Sequence, residues 1–502
     1  MVKHPHGLSQ FSDAAAPVHV RDYSWRHGGR KNPTLRSINL QIEQGERVLV
    51  LGQSGAGKST LLHAIAGVLG GEDEGDEHGS ITVAGRSPEQ ARGLVGMVLQ
   101  DPDSQVISSR VGDDVAFGCE NLGVERAEIW RRVPEALELV GLHLSLDHPT
   151  AELSGGQKQR LALAGVIAMG ARVIVLDEPT ANLDPTGVRE VRDAVIAVAE
   201  RTGATLIVVE HRVDIWQQYL DRTVVVGAAG DIAADGPIDT VIAEHGAELA
   251  EQGVWVPGVE LDLPAAHIVP VSADAALSAT DLMVGWQKNQ PVAGPLSLSI
   301  PAGHSTVITG DNGAGKSTLA LSLAGLLRPV RGSVRVHTPQ RSVDPHRLRS
   351  VALAQTLGYV FQDPEHQFVA RTVREELLVG PRVISGNKHL KEHPRVDELL
   401  ERLRLAHLAE ANPFTLSGGQ KRRLSVATAL VAAPQVLLLD EPTFGQDRRT
   451  FTELVYLIRE LADEGVAIAS ITHDQLFIDA LGDHRIHLDK HAPAPHAGEG
   501  AS

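Results

Sequence analysis

The sequence predicts an α/β fold that is built twice, with a mostly parallel β-sheet and helices on both of its faces in each copy. Two observations predict it. Five short motifs occur in the same order in both halves of the chain, with offsets from 258 residues (Lys58 to Lys316) to 263 residues (Asp177 to Asp440). The chain of 502 residues is also too long for one ordinary core, so two copies of one domain account for its length.

Short apolar runs predict the central strands of each copy. They cover residues 47–51, 173–176, 205–209, 305–309, 436–439 and 467–471. Continuous apolar runs of this length are typical of strands that are buried on both faces of a parallel sheet. The motif residues that follow these runs are therefore expected at the carboxyl ends of strands, where open α/β sheets bind ligands.

The repeat also predicts the domain boundaries. The first domain is expected over residues 17–253, which end in a polar hairpin and a helix, and the second over residues 279–490, which stop short of both. Residues 254–278 contain three prolines and little periodicity, so they are predicted to be a linker. The His/Ala/Pro-rich tail at residues 491–502 is expected to be mobile.

Composition argues against several classes of protein. The 46 Lys+Arg and 63 Asp+Glu residues give a formal net charge of −17, which argues against broad nucleic-acid binding. The single cysteine, Cys119, excludes an intramolecular disulfide, a Cys-based zinc site and a Cys-ligated iron–sulfur cluster. The start of the chain lacks the apolar core of a signal peptide, and the longest apolar stretch, at residues 161–176, is shorter than the ~20 residues that span a bilayer. We therefore expect an intracellular protein that does not itself cross a membrane.

A glycine-rich segment between a strand and a helix predicts a phosphate-binding loop in each half. Its glycines let successive backbone N–H groups converge on phosphates, and the helix N-terminus adds the positive end of its dipole. Lys58 and Lys316 are expected to contact the β- and γ-phosphates, and Ser59 and Ser317 to bind Mg²⁺. The predicted nucleotide-binding residues are Gly52, Gln53, Ser54, Gly55, Ala56, Gly57, Lys58, Ser59, Thr60, Gly310, Asp311, Asn312, Gly313, Ala314, Gly315, Lys316, Ser317 and Thr318.

An Asp-Glu pair ends the next important strand in each half. Asp177 and Asp440 are expected to complete the Mg²⁺ coordination. The adjoining Glu178 and Glu441 are placed to polarise a water molecule for in-line attack on the γ-phosphorus.

The motif Leu-Ser-Gly-Gly-Gln predicts a loop that caps a helix. Its serines are good N-cap residues, and its glycines free backbone amides for an anion. Since each domain already has a phosphate-binding loop, we expect this second loop to contact the nucleotide held by the other domain, so that the two halves pair within the chain. The predicted residues are Ser154, Gly155, Gly156, Gln157, Ser417, Gly418, Gly419 and Gln420.

Together these motifs resemble the nucleotide-binding domain of ATP-binding cassette (ABC) proteins over nearly the whole chain. The Leu-Ser-Gly-Gly-Gln signature is much more specific than a phosphate-binding loop alone. The resemblance implies two ABC-type P-loop NTPase domains, each with a helical subdomain, which bind ATP with Mg²⁺ at their interface and hydrolyse ATP. It implies Gln100 and Gln362 as Q-loop glutamines that also bind Mg²⁺, and His211 and His473 as switch histidines that contact the γ-phosphate.

Two positions depart from the family pattern. The aromatic residue that stacks on adenine falls at Trp286 in the second half, but the equivalent in the first half is His27. Residues 181–184 resemble the family's D-loop, whereas residues 444–447 (Phe-Gly-Gln-Asp) do not. In the family, the D-loop of one domain crosses the dimer interface to the phosphate-binding loop of the partner domain. The resemblance therefore implies that a departure in residues 444–447 of the second half affects the site of Lys58 in the first half. We therefore expect both sites to hydrolyse ATP, at unequal rates.

Two further segments resemble one branch of ABC importers. The motif Gln-Asp-Pro-x-x-Gln at residues 100–105 and 362–367, and Glu-His-Arg at residues 210–212, are similar to the energy-coupling factor ATPases. The resemblance implies a peripheral motor at the cytoplasmic face of the cell membrane. Its partners would be a transmembrane coupling protein, docked near Gln100 and Gln362, and a small substrate-binding membrane protein that takes up a vitamin or a transition-metal ion.

Other functions remain open. Fused sugar-importer ATPases have a similar length, but they tend to have one degenerate copy and lack Gln-Asp-Pro-x-x-Gln. Soluble tandem ABC ATPases that act on ribosomes or DNA typically carry long charged inserts or metal-binding cysteines, and we expect no nucleic-acid partner. Glu178 and Glu441 argue against a purely regulatory scaffold. The sequence does not identify the transported substrate.

Overall fold

The computed structural model describes residues 15–70, 74–181, 183–268, 274–287, 290–338 and 341–489. The chain divides into two compact units, one within residues 1–260 together with 447–449, and the other within residues 261–446 together with 450–502. Several predicted features lie outside the described residues: the tail at 491–502, residues 269–273 of the linker and Asn182 of the D-loop.

The described part of the first unit contains nine strands and seven α-helices. The strands are β1 (Val18–His27), β2 (Leu35–Ile42), β3 (Arg47–Leu51), β4 (Gly75–Val83), β5 (Val95–Val98), β6 (Val173–Asp177), β7 (Thr205–Val209), β8 (Arg222–Val226) and β9 (Ile232–Pro237). The helices are α1 (Lys58–Ala66), α2 (Val111–Asn121), α3 (Arg126–Leu139), α4 (Gly155–Met169), α5 (Pro185–Thr202), α6 (Val213–Trp216) and α7 (Ile238–Glu251). A six-stranded sheet has the order β5-β6-β7-β3-β8-β9 and is parallel except for the edge strand β9, which pairs antiparallel with β8; a three-stranded antiparallel sheet has the order β2-β1-β4.

The central strand β3 is buried on both faces. Val48 and Val50 belong to a hydrophobic core that they share with residues of β1, β2 and α1. Leu49 and Leu51 belong to a separate core, shared with residues of α2, α3, α4 and α5. Because successive strand residues point to opposite faces, this alternation shows that the sheet is covered on both sides.

The second unit repeats this plan. In its described residues the strands are β10 (Ala275–Val284), β11 (Ala293–Pro301), β12 (Ser305–Gly310), β13 (Arg331–His337), β14 (Ser342–Val343), β15 (Leu357–Val360), β16 (Val436–Asp440), β17 (Ala467–Ile471) and β18 (His484–Leu488). The helices are α8 (Lys316–Leu323), α9 (Ser350–Thr356), α10 (Val373–Ser385), α11 (Pro394–Arg402), α12 (Gly418–Leu430), α13 (Arg448–Asp463) and α14 (Gln475–Leu481). A parallel sheet has the order β15-β16-β17-β12-β18, and an antiparallel sheet has the order β11-β10-β13-β14.

The α/β fold class is confirmed, and each of the six apolar runs forms a strand whose bounds agree with the run to within one residue. The helix expected after residue 237 is α7. The antiparallel sheet of each unit is an addition to the predicted architecture. In the parts of both units that the structure describes, no helix is long and apolar enough to cross a membrane.

Candidate functional site

In the first unit, the glycine-rich loop joins the carboxyl end of β3 to the first residue of α1. Gly52, Gly55 and Gly57 have φ values of 144°, 83° and 101°, which residues with a Cβ rarely adopt. A Cβ atom at Gly52 would lie 2.3 Å from the carbonyl oxygen of Val226 in β8. Glycine therefore lets the chain leave the sheet this close to a neighbouring strand.

Lys58 folds back over this loop. Its Nζ donates to the carbonyl oxygens of Gly52, at 2.8 Å, and Gln53, at 3.0 Å, and the side chain is buried. Burial lowers the pKa of Lys58, against the opposing effect of Glu178 and Asp177. The ammonium group is thus held at the N-terminal end of α1, where an anion would meet both its charge and the helix dipole.

The second unit has the same loop between β12 and α8. Gly310 and Gly315 have φ values of 149° and 88°, and a Cβ at Gly310 would lie 2.3 Å from the carbonyl oxygen of Leu488. The Nζ of Lys316 donates to the carbonyl oxygens of Gly310, at 2.8 Å, and Asp311, at 3.1 Å. Both units therefore form the same turn between a strand and a helix, with a lysine folded back over the loop.

Replacing Gly52 by alanine is expected to destabilise the first unit strongly, because the methyl group would meet the Val226 carbonyl and the backbone would be strained. We expect a loss of roughly 3 kcal/mol or more in the free energy of unfolding, as strain and overpacking add. Gly55 is the matched comparison, since its φ is 83° and an added Cβ would have no described atom within 4 Å. Gly55→Ala should cost only the backbone strain, about 1–2 kcal/mol. Denaturant unfolding of both variants measures the difference, and equal losses would contradict the close contact at Gly52.

Strands β6 and β16 end in buried aspartates, Asp177 and Asp440. Each carboxylate accepts a hydrogen bond from the serine that follows the loop lysine, Ser59 or Ser317, and burial raises the pKa of both aspartates. The Oδ1 atom of each aspartate is buried and has no hydrogen-bond partner in the part of the chain that the structure describes. A buried carboxylate oxygen normally has a partner, so these two oxygens, each beside a serine hydroxyl, fit the hard-oxygen coordination that Mg²⁺ requires.

The glutamates that follow these aspartates have a strained backbone. Glu178 and Glu441 both have a φ of 46°, in the left-handed region that residues other than glycine rarely adopt. Their N–H groups donate at 2.9 Å to the carbonyl oxygens of Val209 and Ile471, at the ends of the neighbouring strands. Strain of this kind persists where the surrounding structure imposes it, commonly at functional sites, and here it recurs at one position in both units.

In each unit this glutamate contacts the histidine that follows the neighbouring strand. The Nε2 atom of His211 lies 2.9 Å from Glu178 Oε1, and the Nδ1 atom of His473 lies 3.0 Å from Glu441 Oε1. The Nε2 atom of Gln100 donates to Glu178 Oε2 at 2.8 Å. Burial tends to raise the pKa of Glu178, but the charge and hydrogen bond of His211 hold it below its ordinary value. The hydrogen bond to Glu441 raises the pKa of His473.

A second glutamine closes each Q-loop. Gln105 accepts the N–H of Leu99 at 2.8 Å and donates to the Leu99 carbonyl at 3.1 Å. Gln367 accepts the N–H of Phe361 at 3.3 Å and donates to the carbonyl of Tyr359 at 3.3 Å. The last residue of Gln-Asp-Pro-x-x-Gln thus fastens the loop to the end of its own strand.

The signature serines cap α4 and α12, as predicted. The Oγ of Ser154 accepts the N–H of Gln157 at 3.3 Å, and the Oγ of Ser417 accepts the N–H of Gln420 at 3.4 Å. Each glutamine in turn accepts the N–H of its serine at 2.9 Å. This reciprocal pair is a capping box, which satisfies two backbone N–H groups at the start of each signature helix.

The two residues predicted at adenine differ in their surroundings. His27 accepts a hydrogen bond from Trp25 Nε1 at 3.2 Å, and its Nε2 lies 3.4 Å from the hydroxyl of Thr60, in the first turn of α1. Burial lowers the pKa of His27, so the ring is neutral near pH 7. Trp286 is 69% exposed. His27 therefore lies beside the phosphate-binding loop, and Trp286 presents an aromatic surface for stacking.

Two residues at these sites were missed by the sequence analysis. Glu210 is buried, contacts the hydroxyl of Thr180, and has its pKa raised to about 7 by burial and by the charge of Glu178. The Oη of Tyr359 donates to Asp440 Oδ2 at 3.1 Å. Glu210 is the first residue of the Glu-His-Arg motif, so its position next to His211 could have indicated a place in the site. Tyr359 belongs to no motif, so the sequence contains no comparable signal for it.

Known proteins are similar to this chain over most of its length. The family model described as ABC transporter matches residues 35–181 and 293–444. YkoD of Bacillus subtilis (strain 168), which has the provisional name HMP/thiamine import ATP-binding protein, is 34% identical in an alignment 491 positions long that covers 92% of this chain and 88% of YkoD. A protein of Enterococcus faecalis (strain ATCC 700802 / V583), provisionally named ABC transporter ATP-binding protein, is 33% identical in an alignment 504 positions long that covers 91% of this chain and 86% of that protein.

Solved structures share the fold. The complex of the archaeal ribosomal stalk protein aP1 with the archaeal ribosome recycling factor aABCE1 matches with a TM-score of 0.59 and 22% identity, over 93% of this chain and 87% of that chain. At this identity the likeness concerns the fold alone. The family match over both repeats and the long alignments with the curated relatives establish that the chain belongs to the ABC transporter family, as an ATP-hydrolysing ATP-binding protein with two tandem ABC domains.

Proposed function

We propose that the chain is the motor subunit of a membrane importer of the energy-coupling factor type, in which ATP binding and hydrolysis by the two domains drive uptake of a small solute. The observation that carries this proposal is that both domains keep a complete set of loop lysine, aspartate, glutamate and histidine, with the glutamate and histidine in contact. The name of YkoD refers to HMP/thiamine import, which favours a vitamin over a transition-metal ion as the class of substrate.

The residues of each domain have separate roles in this proposal. In the first domain, Lys58 and the loop amides bind and orient the β- and γ-phosphates. Asp177 and Ser59 would hold Mg²⁺, which neutralises phosphate charge when it is bound. Glu178 accepts the proton of the attacking water, and His211 orients that carboxylate and hydrogen-bonds the γ-phosphate. The second domain uses the equivalent residues Lys316, Asp440, Ser317, Glu441 and His473.

The remaining predicted residues complete the two sites. We propose that Gln100 and Gln362 supply a further oxygen ligand to Mg²⁺, and that His27 and Trp286 contact adenine. The signature loops, residues 154–157 and 417–420, would each bind the nucleotide held by the other domain, since capped helix N-termini favour anions.

We infer that the membrane partner docks on an exposed aliphatic side chain that follows each Q-loop. Ile107 is 62% exposed and Val369 is 76% exposed, and each lies seven residues after its Q-loop glutamine. Exposed apolar side chains at one repeated position support an interaction surface. Its occupant would be a transmembrane coupling protein, with a substrate-binding membrane protein completing the importer at the cytoplasmic face.

Charged substitutions at this surface test the importer proposal. Ile107→Asp and Val369→Asp are each expected to reduce recovery of the chain with an integral membrane subunit roughly tenfold, as loss of an apolar anchor does. The ATPase rate of the free chain should stay within about twofold, because neither side chain has a place in the nucleotide sites. Val383→Asp is the matched control, since Val383 is 56% exposed but the residue 262 positions before it is Asn121, so an apolar side chain is not repeated there.

The same fractionation separates the alternatives. Co-sedimentation with ribosomes or DNA, unaffected by Ile107→Asp, would contradict the importer proposal and favour a soluble tandem ATPase. Co-purification with sugar-permease subunits would favour a fused sugar-importer ATPase. Identification of a small substrate-binding membrane protein in the complex would support the energy-coupling factor type.

A further inference from the structure

In both domains, the helix that begins at the signature motif donates hydrogen bonds to the backbone of the Q-loop of the same domain from a deeply buried side chain. In the first domain, the Nε2 of Gln159 donates to the carbonyl oxygens of Leu99, at 3.0 Å, and Gln100, at 3.3 Å. Gln159 lies in α4 and is 1% exposed. The contact therefore joins the signature helix directly to the backbone of the Q-loop glutamine.

The second domain makes the same contact with a different residue. Arg422 lies in α12, 263 residues after Gln159, and is 2% exposed. Its Nη1 donates to the carbonyl oxygen of Phe361 at 2.7 Å, and its Nη2 donates to that of Gln362 at 2.6 Å. The acceptors are equivalent in the two domains, but the donor is a neutral amide in one and a guanidinium in the other.

Neighbouring lysines also bridge the helix and the loop, but at the surface. Lys158 pairs with Asp103, and Lys421 pairs with Glu365 at 2.6 Å. The acidic side chains are 71% and 44% exposed, so solvent weakens both pairs. The buried contacts of Gln159 and Arg422 are therefore stronger than these two surface ion pairs, and in the second domain buried Ser425 adds a hydrogen bond to Gln367.

The guanidinium should hold its loop more tightly than the amide does. Arginine presents a planar fork with two N–H donors for two acceptors, and hydrogen bonds from a charged donor are stronger than those from a neutral amide. Burial lowers the pKa of Arg422 to about 10, so the group is charged at neutral pH. A buried charge that lost these two carbonyl partners would be costly, which opposes movement of the loop away from α12.

We propose that Gln159 and Arg422 are positioning residues that fix each Q-loop glutamine to the signature helix of its own domain, and that the guanidinium makes the Q-loop of the second domain the less mobile of the two. This inference rests on the proposed role of Gln100 and Gln362 as Mg²⁺ ligands that are needed for ATP hydrolysis. The inference adds a second difference between the two ATP sites, the mobility of their Q-loops. This difference arises from contacts within each domain and does not depend on the D-loop.

Substitution of Arg422 tests the proposal in the full-length chain. Arg422→Gln gives the second domain the side chain of the first, and Arg422→Ala removes the contact. Hydrogen–deuterium exchange in residues 361–368 is expected to rise about threefold in Arg422→Gln and about tenfold in Arg422→Ala, the effect of losing a charged hydrogen bond. The kcat of ATP hydrolysis should fall in the same order, with the KM for ATP within about twofold, because the phosphate-binding loop is untouched.

Arg423→Ala is the matched control, because Arg423 is adjacent in α12 but pairs with Glu453 of α13 at 3.0 Å. Exchange in residues 361–368 that rises no more in Arg422→Ala than in Arg423→Ala would overturn the proposal. Faster loop exchange with unchanged kcat would support the anchoring and contradict the proposed role of Gln362. If Arg422→Ala does not fold, the exchange of residues 361–368 in Arg422→Gln and Arg422→Lys tests the proposal instead. Lysine keeps the positive charge but lacks the planar pair of N–H donors, so Arg422→Lys should exchange at a rate between those of the parent chain and Arg422→Gln.

Discussion

Replacing Glu441 by glutamine is expected to lower the kcat of ATP hydrolysis roughly 100-fold, which is a typical contribution of a general base. Glutamine keeps the size of the side chain and can hydrogen-bond His473, but it cannot accept the proton of the attacking water. Nucleotide affinity should change little, because the phosphate contacts of Lys316 and the glycine-rich loop remain. Steady-state phosphate release, with equilibrium nucleotide binding measured in parallel, separates the two effects.

The equivalent change Glu178→Gln is expected to cause a smaller loss. Residues 444–447 depart from the family's D-loop pattern, and the resemblance to the family leads us to expect that this departure weakens turnover at the site of Lys58. We therefore expect the site of Lys316 and Glu441 to carry most of the turnover. Equal losses in the two variants would contradict this asymmetry. Glu453→Gln is the control for a carboxylate outside the sites, since Glu453 forms ion pairs with Arg404 and Arg423.

Three strands of each parallel sheet were predictable, because a strand that is buried on both faces needs an unbroken apolar run. The predicted bounds of β3, β7 and β17 equal the observed ones for this reason. The antiparallel sheets carry no such signal. In β1 the register shifts around Asp22, whose φ is 47°, and this breaks the alternation of apolar residues. In β4 the first six residues, Gly75 to Ser80, are polar or glycine, so only its end shows a strand pattern.

The local motifs of the site were equally predictable, because each forms one turn at the end of one strand or the start of one helix. Contacts between distant segments were not. Gln159 is 59 residues from Gln100, and Arg422 is 60 residues from Gln362, so neither spacing indicates a hydrogen bond. The strained φ of Glu178 also has no sequence signal, since it is imposed by the pairing of its N–H with β7.

Replacing both loop lysines by alanine is expected to abolish tight ATP binding. Each ammonium group is buried and pre-positioned by two backbone carbonyls of its loop, so it meets phosphate without further loss of hydration or side-chain entropy. Removing one partner of a buried charge pair typically costs 2–5 kcal/mol, or roughly 30-fold to 1,000-fold or more in affinity. Lys58→Ala and Lys316→Ala should therefore each remove tight ATP binding at one of the two sites, and the double variant should remove it at both. Exposed Lys388→Ala is the control for a change of net charge.

Thermal unfolding distinguishes this loss of binding from a loss of structure. Without nucleotide, the double variant should lose only the hydrogen bonds between each lysine and its loop, about 1 kcal/mol per bond. With ATP at 100 times its dissociation constant, the parent chain gains about 2.7 kcal/mol of stability per site, and the double variant should gain almost none. A double variant that ATP still stabilises as strongly as the parent would show that the lysines do not bind the phosphates. Because the signature loops are unchanged, such a result would assign the phosphate contacts to those loops and to the backbone amides alone.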